Sequence, residues 1–447
     1  MFDRVLVANR GEIAVRVIRA LHELGVEAVA AYSTADEQAL HVRMADRAVR
    51  IGPPPASQSY LSIPALVAAA ATTGCDAVHP GYGFLAENPA FVEACDDNDL
   101  VFIGPSAGVM AKMGDKVEAK REMRSAGVPL APGSDGPVTV AEARSLGSEL
   151  GYPVLLKAVA GGGGKGMRRV ESEQELERAH STASAEADAA FGDGSLYLEK
   201  VILPARHVEI QVLCDEQGGV LTLGERECSI QRRHQKLIEE SPSPALTPER
   251  REEMEAAAER ASRHLGYRNA GTFEFLVGPD GSFSFIELNA RLQVEHPVSE
   301  LVTRIDLVRE QVRIAAGEPL PQTGRAPRAG HAIEIRINAE DPERNFAPSP
   351  GTITRFRAPL GPFDRVDTFA EDGALVPAYY DSLVAKLIVW DVDRPGAIAR
   401  ARRALGELVV EGVTTTREFA AGVLDSRAFR SGEYSTSFLA EQVAVPS

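Results

Sequence analysis

KAVAGGGGKGMRRV, Lys157 to Val170, sets four consecutive glycines before Lys165 and Gly166. Three kinds of loop share this pattern, and each sits in a different fold. A Walker A loop needs Ser or Thr directly after its lysine to hold magnesium, and Gly166 stands there instead. The glycines also match G-x-G-x-x-G, but a dinucleotide loop must open a helix whose N-terminus holds the pyrophosphate. Here MRRV continues as a strand, and the next helix signal is Ser172. What remains is a glycine hairpin between antiparallel strands, able to lay backbone N–H groups and the Lys165 charge over phosphates. A plain surface hairpin has the same letters. Lys157, set in the apolar strand YPVLLKAVA, adds a second cation beside the loop and points to an anion site, because unpaired lysines are rarely buried.

On both sides of the loop, strands and helices alternate. Before it, RVLVANR is a strand, and GEIAVRVIRALHELG a helix with Ile13, Val17, Ile18, Leu21 and Leu24 on one face; VEAVAAYS completes a βαβ unit. CDAVHP and LVFIGP are further strands separated by helices, so residues 1–113 read as a doubly wound parallel domain without G-x-G-x-x-G. A helix capped by Asp115 is expected over 114–130. After the loop, a Ser172/Glu175 capping box opens a long helix. SLYLEKVI, RHVEIQVLCD and GVLTLGERECSIQ are strands, and Thr247-Pro248 opens another helix. Residues beyond 330 turn β-rich and close in helices.

Composition narrows the function. The chain has 447 residues, a formal net charge of −16, 44% hydrophobic and 25% charged residues. That is a multidomain globular composition whose acidity argues against a nucleic-acid partner. No apolar run is long enough to span a membrane, and the N-terminus lacks signal-peptide features. Cys75, Cys95, Cys214 and Cys228 show no C-x-x-C pairing, as expected of reduced cytoplasmic thiols.

GTFEFLVGPDGSFSFIELNARLQVEHP, 271–297, carries the chemistry. With the turn at Pro279-Asp280, position 274 is expected opposite 285. Glu274 and Glu287 then share a face as diagonal neighbours about 7–8 Å apart, with Asn289, Phe283 and Phe285 on that face. Two such carboxylates suit magnesium carrying nucleotide phosphates. Arg291, Gln293, Glu295 and His296 follow; an Arg fork beside an amide and a carboxylate can clamp a small oxyanion, with Glu295 placed as base, though a salt-bridged loop has the same spacing. Gln231, Arg232, Arg233, His234 and Lys236 form a charged extended stretch. In AIEIRINAE, Ile333, Ile335 and Ile337 face a core; Glu334, Arg336 and Asn338 point the other way, ordinarily toward solvent. Lysines, a glycine flap and a carboxylate pair together indicate ATP phosphoryl transfer to a small oxyanion.

ANRGEIAVRVIRA, HPGYGFLAEN, MGDKVEAK, GGGGKGM, RHVEIQV, ERECSIQRRHQKLIEE, FIELNARLQVEHPVSE and GHAIEIRINAEDP occur in that order along nearly the whole chain. They resemble biotin carboxylase, the ATP-grasp component of acyl-CoA carboxylases such as the acetyl-CoA carboxylase of fatty acid biosynthesis. The resemblance implies an α/β and α+β multidomain fold. A Rossmann-like domain spans 1–113, an ATP-grasp domain 114–330 with a glycine-rich lid over 131–203, and a β-rich C-terminal domain 331–447. It places Lys116, Lys157, His207 and the lid residues Gly162, Gly163, Gly164, Lys165, Gly166 and Met167 at ATP, with Glu199, Lys200 and Ile202 toward adenine. Gln231, His234 and Lys236 line the ATP and bicarbonate side, and Glu274, Glu287 and Asn289 serve magnesium or manganese. Arg291, Gln293, the Val294 backbone and Glu295 hold bicarbonate. Arg336 stabilises the biotin enolate. The implied reaction forms carboxyphosphate, releases CO₂ and carboxylates biotin.

Lys165 departs from the family, where the lid position is often Arg; both are cations. The A-M-K-M biotinylation sequence is missing, and the last methionine is Met254. The biotin is therefore expected on a carrier protein or domain outside this sequence. The implied assembly is a homodimer that works with a carboxyltransferase subunit. Another ATP-grasp ligase, such as a purine-pathway carboxylase, is opposed by RLQVEHPVSE and Arg336. A silent regulatory nucleotide-binding protein is opposed by the intact Glu274, Glu287, Glu295 and Arg336.

Overall fold

The structure, a computed structural model, describes residues 1–160 and 166–444. The lid residues expected at Gly162, Gly163, Gly164 and Lys165, and the position expected for the lid tip, lie outside the described residues. No helix among the described residues is long and apolar enough to cross a membrane.

The N-terminal strands form a five-stranded parallel sheet. In spatial order they are Arg47–Gly52, Glu27–Ser33, Arg4–Val7, Ala77–His79 and Val101–Phe102. In chain order this is 3-2-1-4-5, and the direction of winding reverses between the first and fourth strands. Ligands in such sheets gather beyond the strand C-termini at that reversal. The two loops that leave it are stapled together: the Asn9 side-chain amide donates to the carbonyls of Pro80 and Tyr82. Gly81, at φ 63°, sits where a Cβ would come within 2.9 Å of the Asn9 amide nitrogen, so the staple requires glycine there.

A nine-stranded sheet dominates the rest. Its main path runs from the hairpin Phe283–Asn289 and Asn269–Val277, through Arg206–Cys214, Val220–Arg232 and Gln235–Ser241, to His331–Asn338, Leu383–Asp391 and Asp364–Thr368. Ile333, Ile335 and Ile337 are fully buried beneath the helices Arg394–Glu407 and Arg417–Asp425, as their alternation predicts. A smaller antiparallel sheet, ordered Met167–Val170, Val154–Ala158, Leu196–Lys200, is backed by two helices around its own core of Val154, Leu156, Leu176 and Leu198.

Some elements depart from the expectations. Arg47–Gly52 is an edge strand whose exposed arginines hide its periodicity. Val140–Leu150 is a helix announced by a Thr139/Glu142 capping box rather than by an apolar stripe. The Ser172/Glu175 box does not form: the Ser172 hydroxyl makes no cap bond, and Glu175 instead accepts from the Glu171 backbone N–H. The helix expected over 114–130 spans only Lys116–Ser125, with the Asp115 carboxylate accepting from Val117 and Glu118 N–H.

Candidate active site

One cleft of about 980 Å³ lies between the three sheets. Its lining includes Lys116, Lys157, Met167, Glu199, Lys200, Ile202, His207, Gln231, His234 and Lys236, together with Glu274, Glu287, Asn289, Arg291, Gln293, Val294, Glu295 and Arg336. Every described residue that the family resemblance places at a ligand is there except Gly166, whereas Arg232 and His296, also singled out from the sequence, are not among the lining. Gly166 faces Ala158 and Ala187 and accepts from the Ala158 N–H, so it closes the hairpin base rather than the cleft wall.

Strand register explains how residues so far apart in sequence meet. Glu274 pairs directly with Glu287 on one side and with Glu209 on the other, and Glu209 pairs with Arg226. Paired residues point to one face, so these four form a charged row across the sheet. A second row is Asp367, Lys386 and Arg336. The hairpin register differs from the expected one. Phe275, not Glu274, faces Phe285, and the ladder slips between Glu274 and Phe275. A β-bulge at Ile286 therefore makes the two glutamates direct partners and turns Phe283 and Phe285 to the opposite face. There they pack with Phe273 and Phe275.

Lys236 is the hub. Its Nζ donates to Glu209 Oε2 at 2.5 Å, Glu295 Oε1 at 2.6 Å and Glu274 Oε1 at 2.9 Å. Glu295 is held from its other oxygen by Arg336 at 2.9 Å. Burial pushes the Glu295 carboxyl up, but Lys236, Arg336 and Arg226 outweigh burial and hold it well below the usual range. Glu274 is likewise depressed: Lys236 and His207 overcome its burial, with His207 Nε2 3.0 Å from Glu274 Oε2. Gln293 donates to Glu274 Oε1 and accepts from Arg226, whose fully buried guanidinium also binds Glu209, Gln211, Thr272 and Ser299. Neither Arg226 nor Glu209 stood out in the sequence. Their one signal is a charge at an inward position of a long apolar strand.

Arg291 is fixed by Glu87 at 2.8 Å and donates to Asn289 Oδ1 at 2.8 Å. Val294 offers its carbonyl to the buried Lys386 Nζ at 2.9 Å, which leaves its N–H as the polar backbone group for a ligand. Glu334 and Arg336, expected on a wet face, are enclosed: Glu334 is fully buried. At the far end, Lys157 Nζ lies 2.8 Å from Glu199 Oε2. Lys116 has its pKa lowered by burial and by the Lys157 charge. Two cations that converge this way make a place for a phosphate.

Arg233 and His234 form the two-residue turn between paired Arg232 and Gln235, with φ of 49° and 66°. Asn-Gly ordinarily fills such a turn. Side-chained residues there hold strain of about 1–3 kcal/mol, and they place His234 at the cleft rim.

The Glu274/Glu287 pair fits a divalent cation. Glu287 is itself exposed to the cleft, and the surrounding protein together with the Glu274 charge raises its carboxyl, so the pair carries a repulsion that a cation would relieve. Asn289 turns its Oδ1 to Arg291 and leaves Nδ2 without a partner among the described residues. Its service to a metal requires that bond to open.

A parallel-sheet domain opening onto an antiparallel sheet, with converging lysines facing a carboxylate pair, defines an ATP-grasp ligase. Comparison with known proteins makes the class specific. The model described as Biotin carboxylase, N-terminal domain matches residues 1–110. Carbamoyl-phosphate synthase L chain, ATP binding domain matches 115–323, and Biotin carboxylase C-terminal domain matches 334–441. The chain is 52% identical to a pyruvate carboxylase component of Methanothermobacter thermautotrophicus over 99% of its length and 90% of that protein. It is 51% identical to the biotin carboxylase of a Nostoc species over 98% of its length and 99% of that protein. Among solved structures, the biotin carboxylase domain dimer of Hydrogenobacter thermophilus 2-oxoglutarate carboxylase, with MgADP, ADP and bicarbonate, superimposes with a TM-score of 0.94 at 48% identity. That match covers 99% of this chain and 98% of the other. The chain belongs to the biotin carboxylase family.

Proposed function

We propose that this cleft performs the ATP-dependent carboxylation of biotin by bicarbonate. The observation that carries the proposal is the position of Glu295, gripped between Lys236 and Arg336. ATP phosphates fit Lys116, Lys157 and His207, under the lid formed by residues 131–203, with Glu199, Lys200 and Ile202 toward the base. Magnesium or manganese, when bound to Glu274 and Glu287, neutralises phosphate charge. Bicarbonate fits between Arg291, Gln293, the Val294 N–H and Glu295.

As the structure stands, Glu295 is ionised but doubly ion-paired, and so a weak base. An anion entering beside Lys236 and Arg336 draws their hydrogen bonds away from Glu295 and raises its basicity as substrate arrives. Glu295 takes the bicarbonate proton, and the bicarbonate oxygen attacks the γ-phosphate with departure of ADP, giving carboxyphosphate, which breaks down to CO₂ and phosphate. The phosphate takes the N1′ proton of biotin, and Arg336 faces the resulting enolate charge as CO₂ is captured.

Biotin arrives on a carrier protein or domain, and a carboxyltransferase takes the carboxyl group onward. The final acceptor is set there: the relatives include a component of a pyruvate carboxylase and a 2-oxoglutarate carboxylase domain. A homodimer is supported by the dimeric relative, and a cytoplasmic location by four buried free thiols. ADP release should require ATP, Mg²⁺ and bicarbonate and should rise with free biotin. Absence of any biotin-dependent turnover would sink the proposal.

A further inference from the structure

Behind Arg336 lies a second carboxylate pair that the reaction above does not use. Glu239 and Glu334 are direct cross-strand partners, and both are fully buried. Direct partners have Cβ atoms about 4.5–5.5 Å apart. Glu239 Oε1 accepts from Arg336 Nε at 2.6 Å. Glu239 Oε2 and both oxygens of Glu334 have no hydrogen-bond partner among the described residues. Two buried carboxylates at this spacing cannot both stay ionised with three oxygens unsatisfied.

We infer that Glu239 and Glu334 share one proton and act as a positioning pair that sets one negative charge, not two, behind Arg336. The inference rests on the biotin carboxylase reading for its consequence, not for the proton itself.

The surroundings agree. Arg336 lies on the Glu334 strand, Lys386 on the strand beyond it, and Glu295 precedes the helix His296–Thr303 that packs over them, bringing His296 and Glu300. Lys386 directs its ammonium to Glu12 and the Val294 carbonyl, and Glu300 is taken by Arg16 and Arg365. His296 Nδ1 is engaged by the Gln293 carbonyl, and burial holds the ring neutral. The helices Arg394–Glu407 and Arg417–Asp425 cover the opposite, isoleucine face. Among the described residues, no cation makes an ion pair or hydrogen bond with Glu334. Burial raises its carboxyl well above the ordinary range, with the Glu239 and Glu295 charges adding to it, and the opposing Lys386 and Arg336 charges do not offset this. Glu239 is raised by burial, and Arg336 only partly offsets this, leaving it at about 7. Because such coupled protons belong to the pair, the titration is one shared event. On losing the proton, the pair would set a second negative charge under Arg336 and weaken its grip on a developing enolate.

Two measurements test this. In infrared difference spectra of the whole chain, the carbonyl band of a protonated carboxylic acid should be present near neutral pH and lost in Glu334→Gln. In kinetics between about pH 6 and pH 9, biotin-dependent ADP release by the wild type should fall several-fold on an alkaline limb that Glu334→Gln removes. Biotin-independent, bicarbonate-dependent ATP hydrolysis should show no such limb in either protein. A wild-type spectrum without that band, or one unchanged in Glu334→Gln, overturns the shared proton. Superimposable pH profiles overturn its coupling to Arg336. Loss of biotin turnover in every preparation would defeat the functional reading and leave the infrared result to decide the proton.

Discussion

Arg336 and Lys236 grip opposite oxygens of Glu295, at 2.9 and 2.6 Å, so one carboxylate joins the two charged rows of the sheet. The two cations differ in what else they hold. Lys236 reaches back to Glu274 and Glu209, whereas among the described residues Arg336 reaches only to Glu239.

Arg336→Ala should therefore nearly abolish biotin-dependent turnover and leave ATP affinity close to normal. Nucleotide titration beside steady-state kinetics checks this, and a lost ATP affinity would reassign the residue.

Lys236→Met should do more. It strands Glu209, Glu274 and Glu295 without their common cation, and breaking a buried ion network in this way costs about 3–5 kcal/mol. A large drop in melting temperature, along with loss of both ATP hydrolysis and biotin carboxylation, is expected in thermal scans and assays.

Glu287→Gln should separate stability from function. It removes the repulsion with Glu274, so the protein without nucleotide should melt at the same or a higher temperature. The gain in melting temperature on adding MgATP should shrink sharply. An undiminished MgATP shift would exclude Glu287 from the metal site.

Glu240 gives a pH prediction remote from catalysis. Burial raises its carboxyl, but His331 and Arg394 outweigh burial and bring it down to about 2 from 4.5. A depressed carboxyl stabilises the fold above its unfolded value, and this is lost as pH falls from about 4.5 toward 2. Glu240→Gln should destabilise the protein at neutral pH, and the difference from wild type should close as the solution is acidified through that window.

Much of this was legible in the sequence, for a physical reason. Lys157 and Glu274 are charges in strands that otherwise run apolar, and such breaks point to a lined cleft, whereas His207, Lys236 and Arg336 were reached only through the family resemblance. The antiparallel strands on either side of the glycine stretch were legible because MRRV reads as a strand and not a helix. Less legible was anything set by register. The Ile286 bulge moved Glu287 from diagonal to direct partner of Glu274 and turned two phenylalanines over, and nothing in SFSFIELN announces it. Glu334 looked like a solvent-facing residue because alternation gives the face but not what covers it. Glu209 and Arg226 are partners only because a second strand brings them level.

The continuous nine-stranded sheet makes tolerance to insertions uneven. Side chains alternate along each strand, so one added residue inside Gln235–Ser241 would swing Glu240 under Arg336 and send Glu239 among the isoleucines. The same residue added in the turn at Pro279-Asp280 would change only a loop. Length drift in homologues of this chain should therefore collect at strand ends, while the strands that carry the two charged rows keep a fixed count.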